Sequence, residues 1–471
     1  MAKKNGSKLH ITMFPWFAFG HITPFLHLSN ELAQRGHRVS FLLPKKAHLQ
    51  WQNTNLHPNL ITFHTLTVPH VDGLPPGTET ASDIPIFLTG LLAIALDLTR
   101  DQVEAYLRDL KPDFVFYDFA YWIPELASQI GFKTVCYNVV SAASLAIALV
   151  PARKFPKDKP PTDAELVEPP PGYPSSTVVL RPHEARSLSF MVLEFGTGTT
   201  FYERVTTSMK QCDAISIRTC QEIEGPLCDY IESQYDKPMF LTGPVLAEPP
   251  ETPLEDRWAK WLDGFELGSV LFCAFGSQWI LEKDQFQELV LGFELTGLPF
   301  LIALKPPSGA VSIEAALPEG FKERVEGRGI VHGGWVQQQL ILNHKSVGCF
   351  VTHCGFGSMW EALMSESQIV LVPHLGDQIL NTRLMADELK VAVEVERDEN
   401  GGFSKEGLCQ AIKLAMDKNG DQVGALVKNN HAKWKETLVR PGFMSDYIDK
   451  FILNLHDLYG KQSNKHGWQP N

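Results

Sequence analysis

Positive charge is scarce in this 471-residue chain. Against 54 Asp and Glu stand 42 Lys and Arg, a formal net charge of −12. A surface of that sign repels phosphate backbones, so nucleic acid is not expected as a partner. No uninterrupted apolar run reaches about 18 residues, the length that would suggest a membrane span. The longest candidate, LTGLLAIALDLTR, is broken by Asp97. The opening MAKKNGSKLHITMFPW has no clean apolar core or small-residue cleavage site, so it does not read as a secretory signal. The eight cysteines form no C-x-x-C pair. They read as reduced, mostly buried thiols of a cytoplasmic protein, and zinc is not expected. GFGSMW lacks the third glycine of a dinucleotide fingerprint, which argues against a nicotinamide dehydrogenase.

What remains is an ordinary globular composition, 44% hydrophobic and 20% charged, long enough for two or three domains. Strand KLHITMF, loop PWFAFGHITP, helix FLHLSNELAQRG and strand HRVSFLLP form a βαβ unit, which implies a parallel sheet. Ligands of such sheets bind at the carboxyl ends of strands. His21 lies there, just before a helix. A helix N-terminus discourages protonation, which suits a general base, although a surface histidine is an equal reading. A long apolar helix is expected from about 84 to 110. KPDFVFYDF then places Asp118 on the same rim as His21. A carboxylate there can fix a histidine tautomer, but it can as well cap a helix. Asn138 ends the strand of FKTVCYNVV, and the Pro-rich 151–182 segment reads as a loop covering a binding site. Residues 1–245 are read as the first domain, 246–258 as a linker, 259–442 as the second domain and 443–471 as a tail with an amphipathic helix. SVLFCAFGS opens the second domain and carries Ser277 on a turn that suits a phosphate.

The chemically loaded block runs from Trp335 to Gln378: WVQQQLILNHKSVGCFVTHCGFGSMWEALMSESQIVLVPHLGDQ. In its turn His353 closes a strand, Gly355 and Gly357 let the backbone bend, and Ser358 sits where a helix starts. Unpaired N–H groups and the positive end of the macrodipole make such a turn an anion site. Glu361, one turn later, can accept hydrogen bonds from a ribose, and Asp377-Gln378 can hold sugar hydroxyls. Each residue alone reads as core or cap; their joint spacing is what argues for a site.

The block resembles the signature of the plant secondary-product UDP-glycosyltransferases, which has this length, opens with Trp, carries HCG near its middle and closes on DQ. The resemblance extends over nearly the whole chain. It implies an α/β fold of two Rossmann-like domains facing a cleft (GT-B), with acceptor in the first domain and donor in the second. It also implies a tail that crosses back to the first domain. By resemblance Trp335 stacks on uracil with Val336 beside it, and Gln338 and Glu361 hold the ribose. His353, Ser358 and Ser277 hold the diphosphate, together with Gly355, Phe356 and Gly357 of the same turn. Asp377, Gln378 and Asn138 reach the sugar. His21 and Asp118 form the catalytic dyad, and one displacement inverts the anomeric carbon. The leaving charge is met by the helix N-terminus; the lack of any Asp-x-Asp pair agrees with metal-free action, and no cofactor beyond the UDP-sugar cosubstrate is implied. Trp16, Phe17, Phe119, Trp122 and His374 are expected around the acceptor, where aromatic faces suit flat phenolics.

Two positions depart from the usual HCGWNS: here the turn reads HCGFGS. Phe356 and Gly357 suggest a donor smaller or less polar than UDP-glucose, such as UDP-rhamnose or UDP-xylose, while Asp377-Gln378 keeps UDP-glucose open. HCGFGS and GDQILNTR resemble the branch that adds a second sugar to flavonoid or anthocyanin glycosides. The alternatives are a first-sugar enzyme on a phenolic aglycone or a noncatalytic relative. A monomer is expected.

Overall fold

The computed structural model describes residues 7–155, 159–246, 252–276, 279–398, 401–417 and 422–463. Ser277 therefore lies outside the described residues. Two parallel sheets organise the chain. The first contains β1 (His10–Phe14), β2 (Arg38–Pro44), β3 (Ile61–Leu66), β4 (Phe114–Tyr117), β5 (Lys133–Asn138), β6 (Ala214–Ile217) and β7 (Met239–Leu241). Its order is β3-β2-β1-β4-β5-β6-β7. The second contains β8 (Val270–Ala274), β9 (Phe300–Ala303), β10 (Gly329–His332), β11 (Val347–Thr352), β12 (Gln368–Leu371) and β13 (Val393–Glu394), in the order β10-β9-β8-β11-β12-β13. Strands such as HITMF and VLFCA are buried at every position. Such unbroken apolar runs belong to sheets covered by helices on both faces.

The strand orders locate the chemistry. In the first sheet the winding reverses between β1 and β4, and in the second between β8 and β11. A crevice opens where neighbouring crossovers depart in opposite directions, and ligands bind there. The register Phe14↔Tyr117 brings Asp118 beside the loop that follows β1. Likewise, Thr352↔Ala274 brings His353 beside the turn after β8.

The expected 84–110 helix is two helices, Thr89–Asp97 and Arg100–Leu110. At the break the Thr99 hydroxyl donates to the Leu96 carbonyl at 2.6 Å, and the Asp97 carboxylate turns to Arg204 at 2.5 Å. Segment 246–258 is described only in part, because 247–251 lie outside the described residues. The helix Asp256–Leu262 already begins inside it. The closing helix Phe443–Ser463 returns to the first domain. There Ile448, Phe451 and Leu455 join the core formed with Phe116 and Phe240. Arg35 Nε bonds Asp449 at 2.5 Å. Across the cleft, buried Arg383 pairs with buried Glu184 at 2.5 Å. All eight cysteines are free and buried. No described helix is long and apolar enough to cross a membrane.

Candidate active site

The β1 loop turns directly into the helix Phe19–Gln34, whose first turn carries His21. Its imidazole Nδ1 lies 2.7 Å from Asp118 Oδ2. Asp118 Oδ1 is occupied on its other side, accepting from the Trp16 N–H at 2.8 Å and the Phe119 N–H at 2.6 Å. A buried carboxylate held by two backbone donors cannot rotate away. With Asp118 accepting the Nδ1 proton, the lone pair of His21 falls on Nε2, which makes no hydrogen bond among the described residues. A hydroxyl presented to Nε2 meets a general base whose tautomer is already fixed.

Aromatic rings surround this pair. Phe119 lies 5.4 Å from the His21 ring and packs edge-on to Trp16. Phe17 is wholly enclosed in the core. Trp122 is also buried and donates its indole N–H to Asp97 at 3.0 Å. Neither therefore presents a face to the cleft. The sequence reading missed Phe195 and Phe201, whose rings lie 5.5 and 5.4 Å from Phe119. They sit beyond the Pro-rich segment, in a stretch whose helical pattern does not tell a ring near a site from a core ring.

On the opposite domain, the turn after β11 is built tightly. Cys354 takes a left-handed φ of 61°. Its carbonyl accepts from Asn381 Nδ2 at 2.9 Å, a support the sequence reading did not name. Cβ atoms at Gly276 and Gly355 would come within 3.2 and 2.8 Å of the His353 ring. The two glycines thus leave the slot the imidazole occupies. Burial, with His374 nearby, lowers the His353 pKa to about 4, so the ring is neutral. The helix Phe356–Met364 begins at Gly355 with no side-chain cap, leaving its first N–H groups open to an anion. Phe356 does not face the cleft: it is buried and packs edge-on to Trp360 at 5.8 Å. Gly357 is the open position of the turn.

Gln338 Nε2 donates to Glu361 at 2.5 Å and to the Ser358 hydroxyl at 3.3 Å, so these three side chains converge. Burial raises the Glu361 pKa, opposed by the Gln338 bond. Trp335 stands apart, 78% exposed while Val336 beside it is buried. An indole face that open on a structured loop can stack on a flat ring. Gln378 Oε1 accepts from the His374 and Leu375 N–H groups at 3.1 and 3.3 Å. Burial pushes the Asp377 carboxyl up to about 6, against the opposing pull of its own and neighbouring backbone N–H groups and of His21. Asn138 spends its amide N–H groups on the Cys136 and Ser216 carbonyls, both at 3.3 Å. His374 stacks on Trp279 at 4.4 Å, with its pKa lowered to about 4 by burial and by Arg397. Among the described residues, no three His, Cys, Asp or Glu side chains group as metal ligands.

Comparison with known proteins gives the family. A family model described as UDP-glucoronosyl and UDP-glucosyl transferase matches residues 326–448. The chain is 59% identical to the anthocyanidin 3-O-glucoside 2'''-O-xylosyltransferase of Arabidopsis thaliana, covering 96% of this chain and 97% of that one. It is 58% identical to UDP-glycosyltransferase 79B6 of the same plant, over 96% and 98%. Among solved structures, it resembles Arabidopsis thaliana UGT89C1 complexed with UDP-L-rhamnose, with a TM-score of 0.73 at 20% identity, covering 96% and 100%. It also resembles Glycyrrhiza uralensis UGT73P12 complexed with glycyrrhetinic acid 3-O-monoglucuronide, with a TM-score of 0.77 at 21% identity, covering 98% of each.

Proposed function

The chain belongs to the plant UDP-glycosyltransferases, and from that premise we propose that it transfers a sugar from a UDP-sugar to a sugar hydroxyl of a flavonoid or phenolic glycoside, with inversion. The observation that carries the catalytic part is the fixed His21–Asp118 pair at the reversal point of the first sheet. His21 Nε2 takes the proton of the acceptor hydroxyl. The oxygen forms its bond to the anomeric carbon as the bond from that carbon to the diphosphate oxygen breaks. UDP leaves with the electron pair, and the proton on His21 passes to solvent. Asp118 stabilises the imidazolium formed on the way. The open helix start at Gly355 receives the diphosphate charge, and Asp377 with the NH2 of Gln378 holds sugar hydroxyls.

The second-sugar reading is supported by the relative whose name specifies xylosyl transfer onto a 3-O-glucoside. Because Phe356 is buried away from the cleft, donor choice rests on Gly357 and its surroundings. A matrix of UDP-glucose, UDP-rhamnose and UDP-xylose against a flavonol aglycone and its 3-O-glucoside tests this. Transfer to the glucoside in preference to the aglycone is expected; preference for the aglycone would move the protein to the first-sugar class. The protein acts as a monomer in the cytoplasm, which size-exclusion chromatography and a fluorescent fusion test.

A further inference from the structure

Arg218 follows β6 directly, in the first domain, and is only 4% exposed. Its backbone N–H bonds the Asn138 carbonyl at 3.1 Å. Its Nε donates to the carbonyls of Pro244 and Val245, at 2.7 and 3.0 Å. Those bonds fix the plane of the guanidinium. Among the described residues, Nη1 and Nη2 have no hydrogen-bond or ion-pair partner. A buried guanidinium with its fork unpaired is costly unless something anionic meets it.

The fork points out of its own domain. Nη1 lies 3.8 Å from where a Cβ on Gly357 would stand, at the open start of the helix Phe356–Met364. Two positive features from different domains therefore converge on one spot. Glu361 acts on it electrostatically, but its Oε2 is held by Gln338. The usual residue at position 357 is Asn, whose side chain would occupy the space that Gly357 leaves to Arg218.

We propose that Arg218 is a donor-binding residue of the acceptor domain, reaching over Gly357 to contact the diphosphate of the UDP-sugar. The inference rests on the UDP-sugar reading above. A planar fork matches two oxygens of a diphosphate, and its charge meets the negative charge that grows as UDP departs. It also makes donor affinity depend on both domains.

The test is calorimetric titration of UDP and of uridine, which lacks the diphosphate, into wild type, R218M and R218K. R218M is expected to lose about 10- to 100-fold in UDP affinity, the worth of a charge-assisted hydrogen bond or two, with uridine affinity within about twofold. R218K, keeping charge without the fork, should fall between. Equal UDP affinity in wild type and R218M would overturn the inference alone, as would parallel loss of UDP and uridine with a lowered Tm. Wild type that fails to bind UDP would overturn the donor reading and the inference with it. If R218M does not fold, the UDP-to-uridine ratio of R218K against wild type decides in the same sense.

Discussion

At the scale of single residues, each half of the site depends on one fixed carboxylate. His21→Ala removes the base and is expected to lower kcat by about 10²- to 10⁴-fold, leaving UDP affinity unchanged in titration. Asp118→Asn is the finer test. Its remaining oxygen can still accept from the Trp16 and Phe119 N–H groups, so the loop stays in place. Its NH2 would then face His21 Nδ1 as a donor and force the imidazole proton onto Nε2. The base would be present in the wrong tautomer, so kcat should fall nearly as far as in His21→Ala, with Tm unchanged. Asp377 works in the opposite electrostatic sense. Burial raises its pKa to about 6 in the folded state, above the ordinary 3.8. The stability it contributes is present below the unfolded value and is lost as pH rises through about 6. Asp377→Asn should therefore raise Tm at pH 8, and the gain should vanish by about pH 4. It should also weaken donor-sugar binding, a site residue held against its own stability. Melting curves across pH and the donor KM report the two effects.

At the scale of elements, the closing helix is the clearest case of a segment whose stability lies elsewhere in the chain. Phe451 is fully buried and meets the Phe116 and Phe240 rings edge-on at 5.9 and 6.2 Å. Phe451→Ala should cost about 3–5 kcal/mol, measured by urea unfolding, because the rigid sheet beneath cannot collapse into the hole. What the sequence made legible follows the same physics. Strands buried on both faces are continuous apolar runs, so KLHITMF, DFVFY and SVLFCA announced themselves, and with them the strand ends that carry His21 and Asp118. The break between Asp97 and Arg100 was not legible, because it depends on Asp97 finding Arg204, 107 residues away. Nor was the direction of Phe356. It follows from the left-handed Cys354 that starts the turn, and a cysteine there carries no sequence mark of positive φ. Arg218 carries no motif in the sequence; only the packing of two domains gives it a target.

At the scale of the whole molecule, the proposed transfer requires the two sheets to face each other at a set distance. His21 and Asp118 belong to one domain, Trp335, Glu361 and Asp377 to the other, and the proposed mechanism needs both around one anomeric carbon. The domains are tied by ionic contacts as well as apolar packing. Arg383 of the second domain, only 1% exposed at its side chain, bonds Glu184 of the first at 2.5 Å, and Glu394 and Asp387 of its own domain at 2.6 and 3.2 Å. Arg181 of the first domain approaches the same Glu394 at 3.1 Å. Removing Arg383 leaves buried Glu184 without its cation, so Arg383→Met should destabilise the protein by about 3–5 kcal/mol. Adding Glu184→Gln should return part of that loss, since the orphaned charge goes with it; in a double-mutant cycle this appears as coupling between the two sites. The milder Glu184→Gln alone leaves Arg383 with Glu394 and Asp387, and Arg181 with Glu394, and removes the buried ion pair across the cleft. If that tie holds the domains at working distance, part of the UDP-sugar binding energy must then be spent on closure, and KM for the donor rises while kcat at saturation stays within about twofold. Steady-state kinetics of Glu184→Gln with varied UDP-sugar decides it: a fall in kcat with unchanged KM would place the closing device elsewhere.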